Sequence, residues 1–255
     1  MTGDQCTSLL LKIHADSRYG ALRGSDVPQV SFQSDLLDEP PDDQVVRMLD
    51  VMSPEEANFD AAAENVVDTA GKSTAQFEAL EEQYGFLGGS YDEYVKYLMR
   101  PDIPRSMWRF VASRDEVSAI AGISAVPKKD GRQRKLLMQC SANYMFSDVR
   151  LRSELGMMGD SALGGLHVPA HRWAVSSWDE SNAFSYVETP QWMWRWCCGP
   201  AVRAGDVWRL LPPSVSSSLG ISDWVWPQYT RFAMGSSHSV HILMNINLTA
   251  VGRTL

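Results

Sequence analysis

Apolar side chains at helical spacing mark two segments in the middle of the chain. Residues 77–84 are rich in helix-forming side chains, and three glycines follow within 85–89. Residues 91–100 place apolar side chains at i, i+3, i+4 and i+7, before Pro101. That stripe consists of Tyr91, Tyr94, Val95 and Leu98. The spacing predicts two helices, and a further short helix is expected within residues 44–51.

Strand-like runs dominate the rest of the pattern. Residues 119–126 and 133–140 flank a turn that contains Asp130-Gly131. An Asp-Gly pair between two such runs is a strong hairpin signal, because the turn residues must tolerate positive φ. The sequence therefore predicts a β-hairpin here. Further strands are predicted at 171–178, at the alternating tryptophans Trp192, Trp194 and Trp196, and at 223–232.

A final helix is predicted after Gly235, with Ser236 or Ser237 as its cap. The apolar residues that follow have helical spacing. They are Val240, Leu243, Met244, Leu248 and Val251. We expect this stripe to form the packed face of the helix.

Charge separates the first 75 residues from the rest. Residues 1–75 hold 14 of the 31 acids but only 5 of the 23 Lys and Arg residues, a net charge of −9, whereas residues 76–255 carry a net +1. The first segment also has few aromatics and a breaker cluster at 38–43. Such a composition predicts a largely disordered acidic tail. A protein-docking arm is the functional alternative.

The bulk composition excludes some classes. No apolar stretch approaches the ~20 residues of a membrane-spanning helix, so no membrane partner is expected. The four cysteines, Cys6, Cys140, Cys197 and Cys198, have no disulfide-framework spacing. This pattern is typical of a reduced, intracellular chain, and we expect a nuclear or cytoplasmic location.

Cations crowd the predicted hairpin. They are Lys128, Lys129, Arg132, Arg134 and Lys135. Two strands joined by a tight turn would bring these side chains to one tip, where they could neutralise a triphosphate or a nucleic-acid backbone. The alternative is an ordinary solvated turn.

A single aspartate follows the predicted strand 171–178. With Asp179 at the predicted strand end, its carboxylate and the carbonyl of the next residue would offer two oxygens at one place. Magnesium is commonly held by one or two carboxylates together with substrate phosphates. Asp179 is therefore a candidate magnesium ligand. The alternative is an aspartate that caps the following turn.

A third candidate segment is residues 231–237, in which a strand leads through Gly235 into hydroxylated residues that open a helix. Glycine permits close approach of a ligand, and a helix start offers free N–H groups. The alternative is a plain strand–turn–helix junction.

Taken together and in this order, the three segments resemble the retroelement type of reverse transcriptase, an RNA-directed DNA polymerase. The run from Val126 to Leu136 resembles the fingers hairpin of that family. The run from Asp179 to Phe184 resembles its first palm motif, and the run from Phe232 to Ser237 resembles the next one. The resemblance covers about residues 105–255. It implies an α+β fold with an antiparallel sheet and flanking helices.

The resemblance also implies roles for individual residues. Asp179 would be the catalytic metal ligand, with the main-chain carbonyl of Glu180 as a second ligand for Mg²⁺. Lys128, Lys129 and Arg134 would hold the triphosphate of the incoming nucleotide. Phe184, beside Ala183, would reject a ribose 2′-hydroxyl. The segment Met234, Gly235 and Ser236 would contact the template and the nascent base pair.

The resemblance divides the chain into an acidic tail (1–75), a helical lead-in (76–118), a fingers-like region (119–178) and a partial palm (179–255). The expected partners are an RNA or DNA template-primer and a deoxynucleoside triphosphate, and the oligomeric state stays open. The family has a paired-aspartate hairpin after the Gly235 helix, whereas the Asp-Asp pair of this sequence is Asp42-Asp43.

Two-metal phosphoryl transfer needs ligands for both ions. We therefore expect little polymerase activity from residues 1–255 unless another polypeptide supplies the missing carboxylates. The alternative is a non-catalytic nucleic-acid-binding module or a degenerate retroelement remnant.

Overall fold

The computed structural model describes residues 30–40, 44–148 and 182–254, and these form a mixture of helices and mainly antiparallel strands, as expected for an α+β fold. The strands are β1 (Val46–Arg47), β2 (Trp108–Val111), β3 (Gly122–Pro127), β4 (Gln133–Met138), β5 (Val187–Glu188), β6 (Val202–Arg203) and β7 (Trp224–Tyr229). The α-helices are α1 (Met48–Val51), α2 (Pro54–Asp60), α3 (Ala63–Val66), α4 (Thr74–Tyr84), α5 (Tyr91–Leu98), α6 (Cys140–Met145), α7 (Gln191–Trp194), α8 (Pro213–Ser216) and α9 (Ser239–Thr254).

Within the described ranges, the strands form three small sheets. β7 is the centre of an antiparallel sheet of order β2-β7-β6, in which Trp108 lies opposite Tyr229. β3 and β4 form an antiparallel hairpin, and β1 pairs with β5 in parallel over two residues. The expected antiparallel pairing is thus confirmed for the hairpin and for the β2-β7-β6 sheet.

The main hydrophobic core lies between α5, the hairpin and the β2-β7-β6 sheet. The α5 stripe predicted from sequence faces this core: Tyr94 and Leu98 are buried, while Tyr91 and Val95 are partly buried against it. Ser90 caps the helix by accepting a hydrogen bond from the Glu93 amide. The helical prediction for this segment is confirmed.

The hairpin prediction is also confirmed, with a different turn. The Gly131 N–H donates to the Lys128 carbonyl at 3.2 Å, and Gly131 has φ +82°. Asp130 keeps negative φ, so the loop is a type I turn followed by a left-handed glycine rather than a turn with two positive-φ residues. The predicted strands at 119–126 and 133–140 shorten to β3 and β4.

The tail prediction needs correction for residues 30–40 and 44–75. Phe32, Leu37, Met48 and Met52 are buried there, and α1 to α3 and the start of α4 lie in this segment. Its buried apolar residues belong to cores that distant parts of the chain complete. Several acids meet cations of later segments, which offsets the net charge that favoured disorder.

Two further expectations fail. The alternating tryptophans lie in and just after α7 rather than on a strand, because Pro190 begins a helical turn; the Trp192 indole donates to the Asp60 carbonyl at 2.9 Å. On α9, Val240, Leu248 and Val251 face solvent, whereas Ile242 and Ile246 pack against the protein. The predicted strand at 171–178 lies outside the described residues.

A buried ion pair joins five segments of the main core. The Lys135 ammonium lies 2.6 Å from a Glu39 carboxylate oxygen, and their side chains are 7% and 2% exposed. The Tyr97 hydroxyl donates to the same carboxylate at 2.8 Å, and the ammonium donates to that hydroxyl. The ammonium also lies over the rings of Tyr97, Trp108 and Tyr229, at 4.4 Å from the Tyr229 centroid.

Burial by itself lowers the pKa of Lys135, but the Glu39 charge and the surrounding phenols outweigh it and hold the pKa well above the usual range. We call this group, Glu39, Tyr97, Trp108, Lys135 and Tyr229, the Lys135 cage. Nearby, the Cys197 and Cys198 thiols are free and buried, and burial raises the pKa of Cys198 to about 12.

We expect Lys135→Met to lower the free energy of unfolding by about 3–5 kcal/mol, because it leaves the Glu39 carboxylate buried without its cation. Urea titration of the native chain measures this loss. The double variant Lys135→Met/Glu39→Gln should recover part of it, since no buried charge remains.

The matched control is Lys96→Met, which breaks the ion pair with Asp35 at the surface, where the two side chains are 49% and 70% exposed. We expect it to cost less than about 1 kcal/mol. Equal losses for the two lysine variants would contradict the assigned importance of the cage.

Candidate functional site

A cleft of about 420 Å³ opens where the three segments selected from sequence meet. Its walls include Arg134 and Lys135 of the hairpin, Asn182 and Phe184 of the segment after Asp179, and residues 232–234 at the end of the β7 region. These segments are 45 or more residues apart along the chain. The fold therefore brings the hairpin, the sequence after Asp179 and the sequence before Gly235 to one place.

Gly235 explains how the third segment reaches the hairpin. A Cβ at this position would lie 2.1 Å from the carbonyl oxygen of Leu137 in β4, which no side chain can occupy. The Asn143 amide also donates to the Gly235 carbonyl at 2.8 Å. Glycine is required here for contact with β4, which is a structural reason for a residue that the sequence suggested for contact with a ligand.

The segment after Asp179 enters the cleft through a left-handed residue. Asn182 has φ +55°, a conformation that asparagine adopts more readily than most residues. A 3₁₀ turn, Ala183–Tyr186, follows and leads directly into β5. The Ser185 hydroxyl lies 3.3 Å from the hydroxyl of Tyr229, so this turn is tied to the Lys135 cage.

An acidic strap, residues 35–39, closes one side of the cleft. The Asp38 carboxylate accepts hydrogen bonds from Lys128 at 2.8 Å and from Arg132 at 2.6 Å, and Asn182 also hydrogen-bonds to it. Partial burial favours the neutral acid, but the Lys128 hydrogen bond and the two cationic charges outweigh this and hold the pKa of Asp38 below its usual value. Asp38 is therefore ionised at neutral pH.

The cations of the hairpin thus fall into three groups. Lys135 is enclosed in its cage. Lys128 is held by Asp38, and Arg132 is held by Asp38 and by Asp130. Lys129 and Arg134 are exposed and have no ion-pair partner within the described part of the chain. Arg134 and Lys129 are the cations most accessible to an incoming anion.

The predicted site residues are distributed as follows. Arg134, Phe184 and Met234 line the cleft, and Ala183 lies in the turn beside it. Lys128 lies at its edge, bound to Asp38, and Lys129 lies at the hairpin tip. Asp179 and Glu180 lie outside the described residues.

Ser236 faces another cavity, of about 260 Å³, which Arg231 also lines. The Ser236 hydroxyl accepts a hydrogen bond from the His238 backbone amide. The proposed template contacts of Met234, Gly235 and Ser236 stay predictions, as do the nucleotide contacts.

Sequence reasoning missed the acidic strap, and with it the pairing of Asp38 and Glu39 with the hairpin. The residues stood in a segment assigned to a disordered tail. One signal was available: two adjacent acids stand beside apolar residues, in a chain whose densest cationic cluster holds five cations and a single local acid, Asp130. Charge complementarity between these two clusters could have suggested their contact.

A magnesium ion would depend on residues beyond the described set. Among residues 30–40, 44–148 and 182–254, no group of three or more His, Cys, Asp or Glu side chains could hold a metal ion. Asp38 and Glu39 offer carboxylate oxygens beside the cleft, and both are engaged by cations. The assignment of Mg²⁺ to Asp179 and Glu180 stays a prediction.

No protein-family model matches the chain, and a search of curated proteins gives no match either. None of the helices in the described ranges has the length and apolar character needed to cross a membrane.

We expect Gly235→Ala to destabilise the protein by about 1–3 kcal/mol, because the added methyl group forces Gly235 and Leu137 apart. Chemical denaturation measures the change. Gly252→Ala is the matched control: its Cβ would meet nothing within 4 Å, and alanine should stabilise α9 by about 0.5–1 kcal/mol. A neutral Gly235→Ala would show that close contact with β4 is not required.

Proposed function

We propose that this chain carries the nucleotide-handling part of a reverse-transcriptase-like polymerase, which adds deoxynucleotides to a primer 3′-end along a template. The observation that carries the proposal is the meeting of three segments at one cleft. The hairpin, the turn that follows Asp179 and the residues before Gly235 were selected from sequence in that order, and each contributes to its walls.

Each wall suits one part of a deoxynucleoside triphosphate. Arg134 presents an exposed guanidinium at the cleft, and Lys128 and Lys129 stand on the adjoining turn, so these cations would hold the phosphates. Phe184 supplies a flat apolar surface against which a deoxyribose could pack and a 2′-hydroxyl would be excluded. Met234, next to Gly235, would contact the base pair.

Asp179 and the Glu180 carbonyl would hold magnesium, with Asn182 as the described residue nearest to them in sequence. The ion would supply charge stabilisation at the transferring phosphate and the attacking oxygen. The residues of this chain would bind and orient the nucleotide. Turnover additionally requires a second carboxylate cluster, which in this proposal comes from another polypeptide or a further segment.

A non-catalytic nucleic-acid-binding role is the second candidate. It is favoured by the accessible cations Lys129 and Arg134, and by the engagement of the described cleft carboxylates with hairpin cations. This role requires no magnesium-dependent nucleotide binding, which separates it from the first.

We expect the chain to bind a deoxynucleoside triphosphate with an affinity that rises when Mg²⁺ is added. Asp179→Asn should abolish the magnesium dependence, and Arg134→Ala should weaken binding roughly tenfold, since each removes a charge-assisted contact. Isothermal titration calorimetry with and without Mg²⁺ measures both effects.

The controls are Asp206→Asn and Arg209→Ala, which remove an exposed acid and an exposed cation outside the cleft. Both should bind as the wild type does. Magnesium-independent binding that Asp179→Asn leaves unchanged would reject the polymerase proposal and favour the nucleic-acid-binding role.

Phe184→Ala should reduce the preference for deoxyribonucleotides over ribonucleotides by roughly tenfold or more, because the surface that excludes the 2′-hydroxyl is removed. The ratio of the two dissociation constants is the measurement. Phe86→Ala truncates a half-exposed phenylalanine that does not line the cleft and should leave the ratio unchanged. An unaltered ratio in Phe184→Ala would exclude this residue from sugar selection.

A further inference from the structure

The acidic strap and the residues that precede it, 30–34, are held to the hairpin by backbone as well as by charge. Val30 forms an antiparallel bridge with Ala125 of β3, and Leu37 forms a parallel bridge with Gln133 of β4. The Gln133 side chain accepts from the Gln33 amide and donates to the Ser31 carbonyl, each at 2.9 Å. Residues 30–37 therefore cross both edges of the hairpin and deliver Asp38 to its cationic tip.

The Asp38 carboxylate occupies the hairpin tip in the way that a phosphate group would. Its two carboxylate oxygens each accept from a different cation, Oδ2 from Lys128 and Oδ1 from Arg132. Carboxylate and phosphate oxygens use the same charge-assisted hydrogen bonds to lysine and arginine. An anion that takes over these two hydrogen bonds must therefore displace the Asp38 carboxylate, while Asp130 keeps its own contact with Arg132.

Asp38 and Glu39 differ in how firmly they are held. The Asp38 and Lys128 side chains are each 21% exposed and that of Arg132 is 51% exposed, whereas Glu39 is 2% exposed inside the Lys135 cage. Ion pairs near solvent contribute little and exchange easily, while removal of one partner of a buried pair is costly. Asp38 can thus release its cations while Glu39 stays anchored.

We propose that Lys128 and Arg132 form a phosphate-binding site for a nucleoside triphosphate, and that Asp38 is a built-in competitor which occupies this site until the triphosphate displaces it. The inference rests on the proposed function and extends it in two ways. It adds Arg132 to the residues that hold the phosphates. It also implies that, in the ligand-free protein, Asp38 inhibits binding of the triphosphate. Glu39 and its cage serve as the fixed point from which Asp38 moves.

Displacement favours ligands that carry several charges close together. A monovalent anion offers the two cations no more than Asp38 does, and Asp38 has the advantage of being attached. A triphosphate contacts Lys128 and Arg132 together with the accessible Lys129 and Arg134, so it gains contacts that Asp38 does not make. The cost of displacing Asp38 reduces the apparent affinity of every ligand at this site.

The test compares the wild type with Asp38→Asn, which keeps the shape of the side chain and removes its charge. The probes are inorganic tripolyphosphate and a deoxynucleoside triphosphate, titrated into the native chain at fixed ionic strength. We expect Asp38→Asn to bind both about tenfold more tightly. The gain should disappear in Asp38→Asn/Lys128→Ala/Arg132→Ala, because the released cations are absent.

Asp35→Asn is the matched control, since it removes an acid from the same strap that pairs with Lys96 instead of the hairpin. It should bind both probes as the wild type does. Thermal unfolding of each variant verifies that it is folded. If Asp38 had only a structural role, Asp38→Asn would lower the stability of the protein and would not tighten its binding of either probe.

The outcomes separate the two proposals. If both probes bind and Asp38→Asn binds no more tightly than the wild type, the competitor inference is wrong and the nucleotide proposal stands. If tripolyphosphate shows the gain and the nucleoside triphosphate is not preferred over it, the competitor stands and the nucleotide proposal is wrong. If neither probe binds to any variant, both are overturned.

Discussion

The charge on Lys135 is the constraint on which the architecture depends. An ammonium in a protein core must have a counter-charge and hydrogen-bond acceptors, or its burial opposes folding. Here these come from Glu39 at one end of the strap, from Tyr97 on α5 and from the faces of Trp108 and Tyr229 on neighbouring strands. A single cation thereby fixes how the strap, the helix, the hairpin and the β2-β7-β6 sheet sit against one another.

The cleft follows from this arrangement. Lys135 and Tyr229 belong to both the cage and the cleft wall, and Ser185 links the turn after Asn182 to Tyr229. Gly235 brings the last segment against β4 from the other side. The residues with accessible side chains, such as Arg134 and Phe184, are therefore supported by a rigid base, as a site that must orient a ligand requires.

Local patterns were sufficient for α5 and for the hairpin. In both cases the information is contained within about ten neighbouring residues: a helical stripe and an Asp-Gly turn. The three segments that line the cleft were instead chosen together, by their order along the chain and their resemblance to a known family, because each alone also fits an ordinary turn or junction. The strap was not predictable in this way. Asp38 and Lys128 are 90 residues apart, and neither position has a local pattern that requires the other.

The two misassigned elements failed for related physical reasons. Trp192 and Trp194 alternate as strand residues do, yet Pro190 and the acceptors available to their indoles favour a helical turn. On α9 both faces carry apolar residues, so spacing alone gives a stripe but not the face that packs. Contact with α1 through Ile242 and Ile246 decides the orientation, and that contact lies outside the helix itself.

The adjacent buried thiols Cys197 and Cys198 are an internal probe of how the core opens. Both are inaccessible in the folded chain, and burial keeps them protonated and unreactive. An alkylating reagent can modify them only in the moments when the surrounding core separates. Their modification rate therefore reports the opening of the core under conditions in which almost every molecule is native: the rate of opening when alkylation is faster than reclosing, and the population of the open state when it is slower.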